Sequence, residues 1–317
     1  MKDKVQVSPK QMDDAYRSVE HARERGMEVK DIISCDILPV SPLFHGDFPY
    51  PATKYKLMEE VEPKLDTDSF AWETHLNTHV VADVMSTLRR RPFDDHDSVG
   101  SWLRSSINLS MKVSQRVVCT HFARDSYIEL SVKDPERFRR SEGIEPGLDI
   151  VDMIDDTPVP VNTDKFWASS KNKENLQLLH SDICMTDRSN ASDIILSSMI
   201  VEGECLPAKY CNGKEIPELT NWVEEADSKV VIHVAWAVRV KKCQRVIVLS
   251  NDTDTFTLLL YYTPRLKEMG LLEFWLQYGL DKRMLPVHQA HDILGTPLTK
   301  VYIKAYIITG NKGYQHH

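Results

Sequence analysis

The chain has 317 residues, of which 42% are hydrophobic, 27% charged and 8% aromatic, a balance that excludes wholesale disorder. Lys and Arg total 39 against 47 Asp and Glu, a formal net charge of −8, which excludes attachment to nucleic acid by bulk charge alone but not by a local basic stripe. No run of about 18 apolar residues predicts a membrane span. The opening MKDKVQVSPKQMDDAYRS lacks a secretory apolar core. The cysteines at 35, 119, 184, 205, 211 and 243 are dispersed, and the nearest pair, Cys205 and Cys211, lacks CxxC spacing and matching histidines, which argues against zinc there. An intracellular protein, nuclear or cytoplasmic, is therefore expected.

Residues 13–32, DDAYRSVEHARERGMEVKDI, predict a polar helix, and the proline-rich 36–56 cannot continue it. KLMEEVEPKL (56–65) predicts a short helix. Residues 1–75 thus read as a helical and proline-rich N-terminal extension, and 76–317 as the main domain. From residue 78 short apolar runs alternate with helical segments. THVVADVM (78–85), QRVVCTHF (115–122), SDIILSSMIV (192–201), RVIVLSN (245–251) and LEFWLQYG (272–279) predict buried strands. STLRRR, NKENLQLLHSDI, NWVEEADSKVVIHVAWAVRVKK and TFTLLLYYTPRLKEM predict helices around them. The fold class is α/β, a mostly parallel sheet flanked by helices, whose functional sites sit at the strands' carboxyl ends. The acidic 147–160 reads as an exposed connection.

Three strands deliver carboxylates to those ends: Asp83 closes VVAD, Asp125 follows VVCTHF, and Asp252 and Asp254 follow VIVLSN. Each Asp also suits the N-cap of a following helix, although one cap suffices per helix. Glu224, Glu225 and Asp227 open the helix before the fourth strand, where the macrodipole favours negative charge. Helix start and strand end both reach one rim of the sheet. Carboxylates converging there repel one another, and hard oxygen ligands without His or Cys select Mg²⁺ or Mn²⁺.

EEADSKVVIHVAWAVRVKKCQRVIVLSNDTDTFTLLL resembles the block of PIN-like nucleases of flap-endonuclease type in which an acidic helix start leads to a strand ending in DxD. VVADVMSTLRR is similar to that family's first strand and metal-binding Asp, and HFARDSYIELSVKDPERFRR to its Asp–Lys–Arg segment. VPVNTDKFWASSKNKENLQLL and RMLPVHQAHDILG resemble further blocks of divergent, mobile-element-associated animal members. The resemblance implies metal-binding roles for Asp83, Asp125, Glu225, Asp227, Asp252 and Asp254, with Asp83, Asp125, Glu225 and Asp252 as catalytic residues. Helical periodicity would instead pair Glu224 with Asp227, so the family pairing requires an irregular first turn. A Thr-Gly-x-Asp block of the family reads ITGNKG here, with Lys312 in the carboxylate's place, and the chain stops where relatives continue. The implied activity is two-ion phosphodiester hydrolysis of structured or single-stranded nucleic acid, DNA or RNA, impaired at the second ion and by C-terminal truncation. The alternative is a non-catalytic PIN-like module that binds nucleic acid or protein. An unrelated phosphohydrolase on a doubly wound sheet is disfavoured by the lack of DxD after the first strand.

Basic residues follow two of the proposed ligands: Arg89, Arg90 and Arg91 after Asp83, and Lys133, Arg137, Arg139 and Arg140 after Asp125. Arg89, Lys133 and Arg137 are the expected phosphate contacts, although such clusters also suit a solvated face. Trp222, Trp236 and Trp275 lie in apolar patterns and are expected in the core. His233, among Val and Ile, is expected as a satisfied core histidine.

Overall fold

The computed structural model describes residues 44–45, 48–49, 56–72, 76–93, 95–114, 117–128, 148–187, 193–279 and 283–309. It divides into two compact units, Tyr55–Lys300 and a second formed by Met1–Lys54 with Val301–His317. In the second unit Phe44–His45 pairs antiparallel with Phe48–Pro49. The helix expected over 13–32 lies outside the described residues. Part of the stretch assigned to the N-terminal extension belongs to the larger unit: α1, Lys56–Val61, buries Met58 and Val61 in its core.

The larger unit is α/β, built on a seven-stranded, mostly parallel sheet. Its central strands are β1 (Thr78–Asp83), β2 (Cys119–Ala123) and β3 (Ile194–Leu196). β4 (Met199–Val201) and β5 (Glu204–Leu206) form a separate hairpin, and β6 (Lys209–Tyr210) is an antiparallel edge. β7 (Arg245–Leu249), β8 (Glu273–Tyr278) and β9 (Arg283–Pro286) complete the order β9-β8-β7-β1-β2-β3-β6. The five inner strands are parallel, and β9 is the second antiparallel edge. Chain order reverses between β1 and β7, so their carboxyl ends flank the topological switch point.

Two-residue alternation along the strands splits the core into two layers. Val80 and Ala82 of β1 join Ile247 and Leu249 of β7 in packing with α3 (Val99–Ser114) and α5 (Ser170–Asp187), through Trp102, Leu103, Leu176 and Ile183. Val81, Val246 and Val248 face the other way, among Val230, Val234, Ala237, Phe256 and Leu260 of α6 (Ala226–Lys241) and α7 (Thr253–Glu268). Each of these fully buried aliphatic chains contributes about 1.5–3 kcal/mol relative to exposure. The short helices α2 (Val84–Leu88) and α4 (Thr163–Ala168) precede α3 and α5, respectively, and α8 is Val287–Thr309. In α8, Gly295 has φ +73°, a left-handed conformation that interrupts the helix ahead of Pro297. No helix among the described residues is long and apolar enough to cross a membrane.

Two elements differ from the sequence expectation. STLRRR supplies only part of the short α2; the main β1–β2 crossover helix is α3, whose SVGSWLRSSINLS stretch is too rich in Ser and Gly to stand out by propensity. The run 192–201 is not one strand. It breaks at Ser197–Ser198, where the carbonyl oxygens of Ser197 and Ser198 accept hydrogen bonds from Arg124 and Lys229 instead of a neighbouring strand. Trp236 and Trp275 are core residues, but Trp222 is 65% exposed. It sits in extended chain ahead of α6, where an apolar sequence pattern does not imply a buried face.

Candidate functional site

Asp83 ends β1 and caps α2, its Oδ1 accepting the Ser86 amide at 2.8 Å. The cap does not use the whole carboxylate. Ser250, the residue after β7, directs its hydroxyl to Oδ2 at 3.5 Å, and the Asn251 amide donates to Ser86 Oγ at 2.7 Å. These bonds tie the ends of β1 and β7 together across the switch point. Asp83 is only 6% exposed. Its pKa is raised well above the carboxylate range, chiefly by burial, then by the charges of Asp125, Asp252 and Asp227 against the opposing Ser86 amide. Three of the other five predicted carboxylates, Asp125, Asp252 and Asp227, thus act by charge on Asp83.

Asp125 follows β2, beside β1 with Ala123 opposite Asp83. Its position is held from three sides. Its amide donates to Gln177 Oε1 at 2.8 Å, Gln177 Nε2 donates to its carbonyl at 3.2 Å, and its Oδ1 accepts the Ala226 amide at 2.8 Å. Asp125 therefore supplies a side-chain acceptor to the first turn of α6, where the N-cap residue Glu225 makes no side-chain cap bond. Because α6 begins at Ala226, Glu224 and Glu225 precede the helix and Asp227 lies in its first turn. The periodicity argument for pairing Glu224 with Asp227 does not apply to non-helical backbone. Asp252 caps α7, accepting the Asp254 amide at 2.9 Å, and Asp254 is half-buried in the first turn.

A buried cation holds this rim from beneath. Lys229, fully buried on α6, donates from Nζ to Arg124 O at 2.7 Å, Ser198 O at 3.0 Å and Ser126 Oγ at 3.1 Å. Burial, with the Arg124 charge, lowers its pKa to about 8, while the charges of Asp125 and Glu225 act to raise it. Lys229 and Gln177 lie inside helical runs whose sequence offers nothing to separate them from surface residues, so only the fold reveals their role. Beside the rim lies a cavity of about 230 Å³, lined by Thr87, Arg90, Arg91, Ser250, Asn251 and Gln277 among others. Arg90 extends over the Tyr278 ring, 5.8 Å from its centroid. Arg89, the expected phosphate contact, is exposed, with its guanidinium 6.0 Å from the Trp167 ring centroid. Lys133, Arg137, Arg139, Arg140 and Lys312 lie outside the described residues.

Comparison of the chain with protein-family models, curated proteins and solved structures finds no match.

Proposed function

We propose that the carboxylate rim binds Mg²⁺ or Mn²⁺ and that the protein is a metal-dependent nuclease of PIN-like type acting on nucleic acid. The observation that carries this reading is Asp83, a buried carboxyl at the switch point subject to the charges of three other carboxylates. Such a donor set fits a hard divalent ion, whose charge offsets both the repulsion and the burial. When bound, the ion would supply Lewis-acid stabilisation of phosphoryl oxygens and a more acidic water. Asp83 and Asp125 are the preorganised ligands, fixed by the Ser86 and Ala226 amides. Asp227 and Asp252, whose charges also act on Asp83, would complete the ligand set with Glu225 and Asp254. Arg90 and Arg91, with the neighbouring cavity, provide cationic contacts for phosphate. The exposed Trp222, three residues before Glu225, offers a stacking face for an unpaired base.

The test is cleavage of flap, single-stranded DNA and RNA substrates with Mn²⁺ at fixed salt. Slow turnover lost in Asp252→Asn is expected. Turnover indifferent to Mn²⁺ and to Asp252→Asn would refute the reading. Trp222→Ala should weaken binding of a labelled single strand by about 1–3 kcal/mol, read by fluorescence anisotropy. Unchanged anisotropy would remove Trp222 from the nucleic-acid surface. A second reading, a non-catalytic nucleic-acid- or protein-binding module, is favoured by Lys312, which stands where the resembled family has a carboxylate. An ammonium there opposes a second ion, so Lys312→Asp should increase turnover if the first reading holds.

A further inference from the structure

The other end of the sheet carries a donor set of different chemistry. β1 and β2 run parallel with His79 opposite Cys119 and Val81 opposite His121. Since His121 lies two residues beyond Cys119, all three polar side chains project from one face of the sheet, towards α6. A ligand atom from each of His79, Cys119 and His121 lies within 4.8 Å of the others. His79 Nδ1 is 3.0 Å from His121 Nε2, and His121 Nδ1 is 3.0 Å from His233 Nδ1 on α6. The four residues are at most 5% exposed.

The three rings form a hydrogen-bonded series whose two end atoms are unpaired. Three neutral rings carry three N–H protons, and the two links between them use two. The remaining N–H and one remaining lone pair fall on His79 Nε2 and His233 Nε2, and both of these buried atoms lack a hydrogen-bond partner.

We propose that His79, Cys119 and His121 form a site for a zinc-class divalent ion, with His233 orienting His121 from behind. Imidazole nitrogen with thiolate sulfur is the donor set of a borderline-soft ion, unlike the oxygen rim proposed above for Mg²⁺ or Mn²⁺. Tetrahedral zinc with bonds of about 2.0–2.1 Å places two nitrogens roughly 3.3 Å apart, so the His79 and His121 nitrogens need to part by only a few tenths of an ångström. Binding converts the Cys119 thiol to thiolate and releases its proton to solvent. His121 then donates from Nδ1 to His233 Nδ1, the outer hydrogen bond that fixes a ligand's tautomer. The remaining coordination position is left to water. His79 and Asp83 are four residues apart on one strand, about 13 Å, so this centre is separate from the carboxylate rim.

The experiment is titration of the chelator-stripped, folded full chain with Zn²⁺ and, as a spectroscopic probe, Co²⁺. The expected result is one equivalent bound with a sulfur-to-cobalt charge-transfer band. Cys119→Ser and Cys119→Ala should abolish the band, whereas Cys243→Ser and Asp252→Asn should keep it. His233→Leu should keep the band but lower affinity about 10–100-fold. Folded wild-type protein that binds no zinc and shows no band would overturn the proposal, as would a band that survives loss of the Cys119 sulfur. The wild-type titration decides the matter even if a variant fails to fold, and retention of the band in Asp252→Asn separates this site from the carboxylate rim.

Discussion

Asp83→Asn is expected to stabilise the metal-free protein at neutral pH and to abolish its stabilisation by Mn²⁺. Asparagine keeps an oxygen for the Ser86 amide, which Asp83 accepts at 2.8 Å, and removes the charge. The folded-state pKa of Asp83 is raised by burial and by Asp125, Asp252 and Asp227. A carboxyl raised in this way binds its proton more tightly folded than unfolded. Its contribution is harmless below the ordinary carboxyl range, and stability is lost as pH rises through the folded pKa. The variant should therefore gain more in Tm at pH 8 than at pH 5. In wild type, Mn²⁺ at a hundredfold excess over Kd should add about 2.7 kcal/mol by mass action, and the variant should show none of it. Scanning calorimetry at both pH values, with and without Mn²⁺, makes the comparison. An equal loss of Tm at both pH values, or a retained Mn²⁺ response, would show that Asp83 is a structural cap and not a ligand.

The residues legible from sequence are those whose position depends on strand ends. Asp83, Asp125 and Asp252 fall at or just after the ends of parallel strands, and a parallel sheet presents those ends on one rim, so the placement of these residues on one edge follows from local pattern plus one topological rule. The start of α6 was less accessible, since EEADSK is compatible with helix throughout and only the extended Glu225 backbone, φ −85° and ψ 133°, places the first two acids outside it. What holds the rim was not legible. Gln177, Lys229 and Ser198 meet Asp125 and its neighbours through contacts far apart in sequence. The His79–Cys119–His121 cluster was hidden for a related reason. Its Cys-x-His half is visible on one strand, but His79 joins it only through the β1–β2 register, which sequence periodicity does not set.

Lys229→Met should damage the fold, lowering stability by about 1–3 kcal/mol, or roughly 2–12 °C in Tm. Methionine matches the stem but removes the shared donor, leaving Arg124 O unpaired while Ser198 O keeps the Ser197 hydroxyl and Ser126 Oγ keeps the Ile200 amide. Leaving one buried acceptor unpaired and weakening two others costs about 1–3 kcal/mol, offset in part by removing the desolvated ammonium. The pH dependence separates this account from simple loss of packing. Burial and the Arg124 charge depress the Lys229 pKa to about 8, so below that pH the side chain is protonated in both folded and unfolded chains. Between pH 8 and the ordinary lysine value near 10.4 the unfolded chain binds more protons, and the Lys229 contribution to stability rises with pH. The difference between wild type and variant should therefore widen from pH 7 to pH 9.5 in urea unfolding. Because Lys229 anchors the segment on either side of Asp125, the variant should also respond less to Mn²⁺ under conditions where it is still folded. A difference below about 1 kcal/mol, or one that narrows with rising pH, would mean that Arg124 O finds another donor and that the rim does not depend on Lys229.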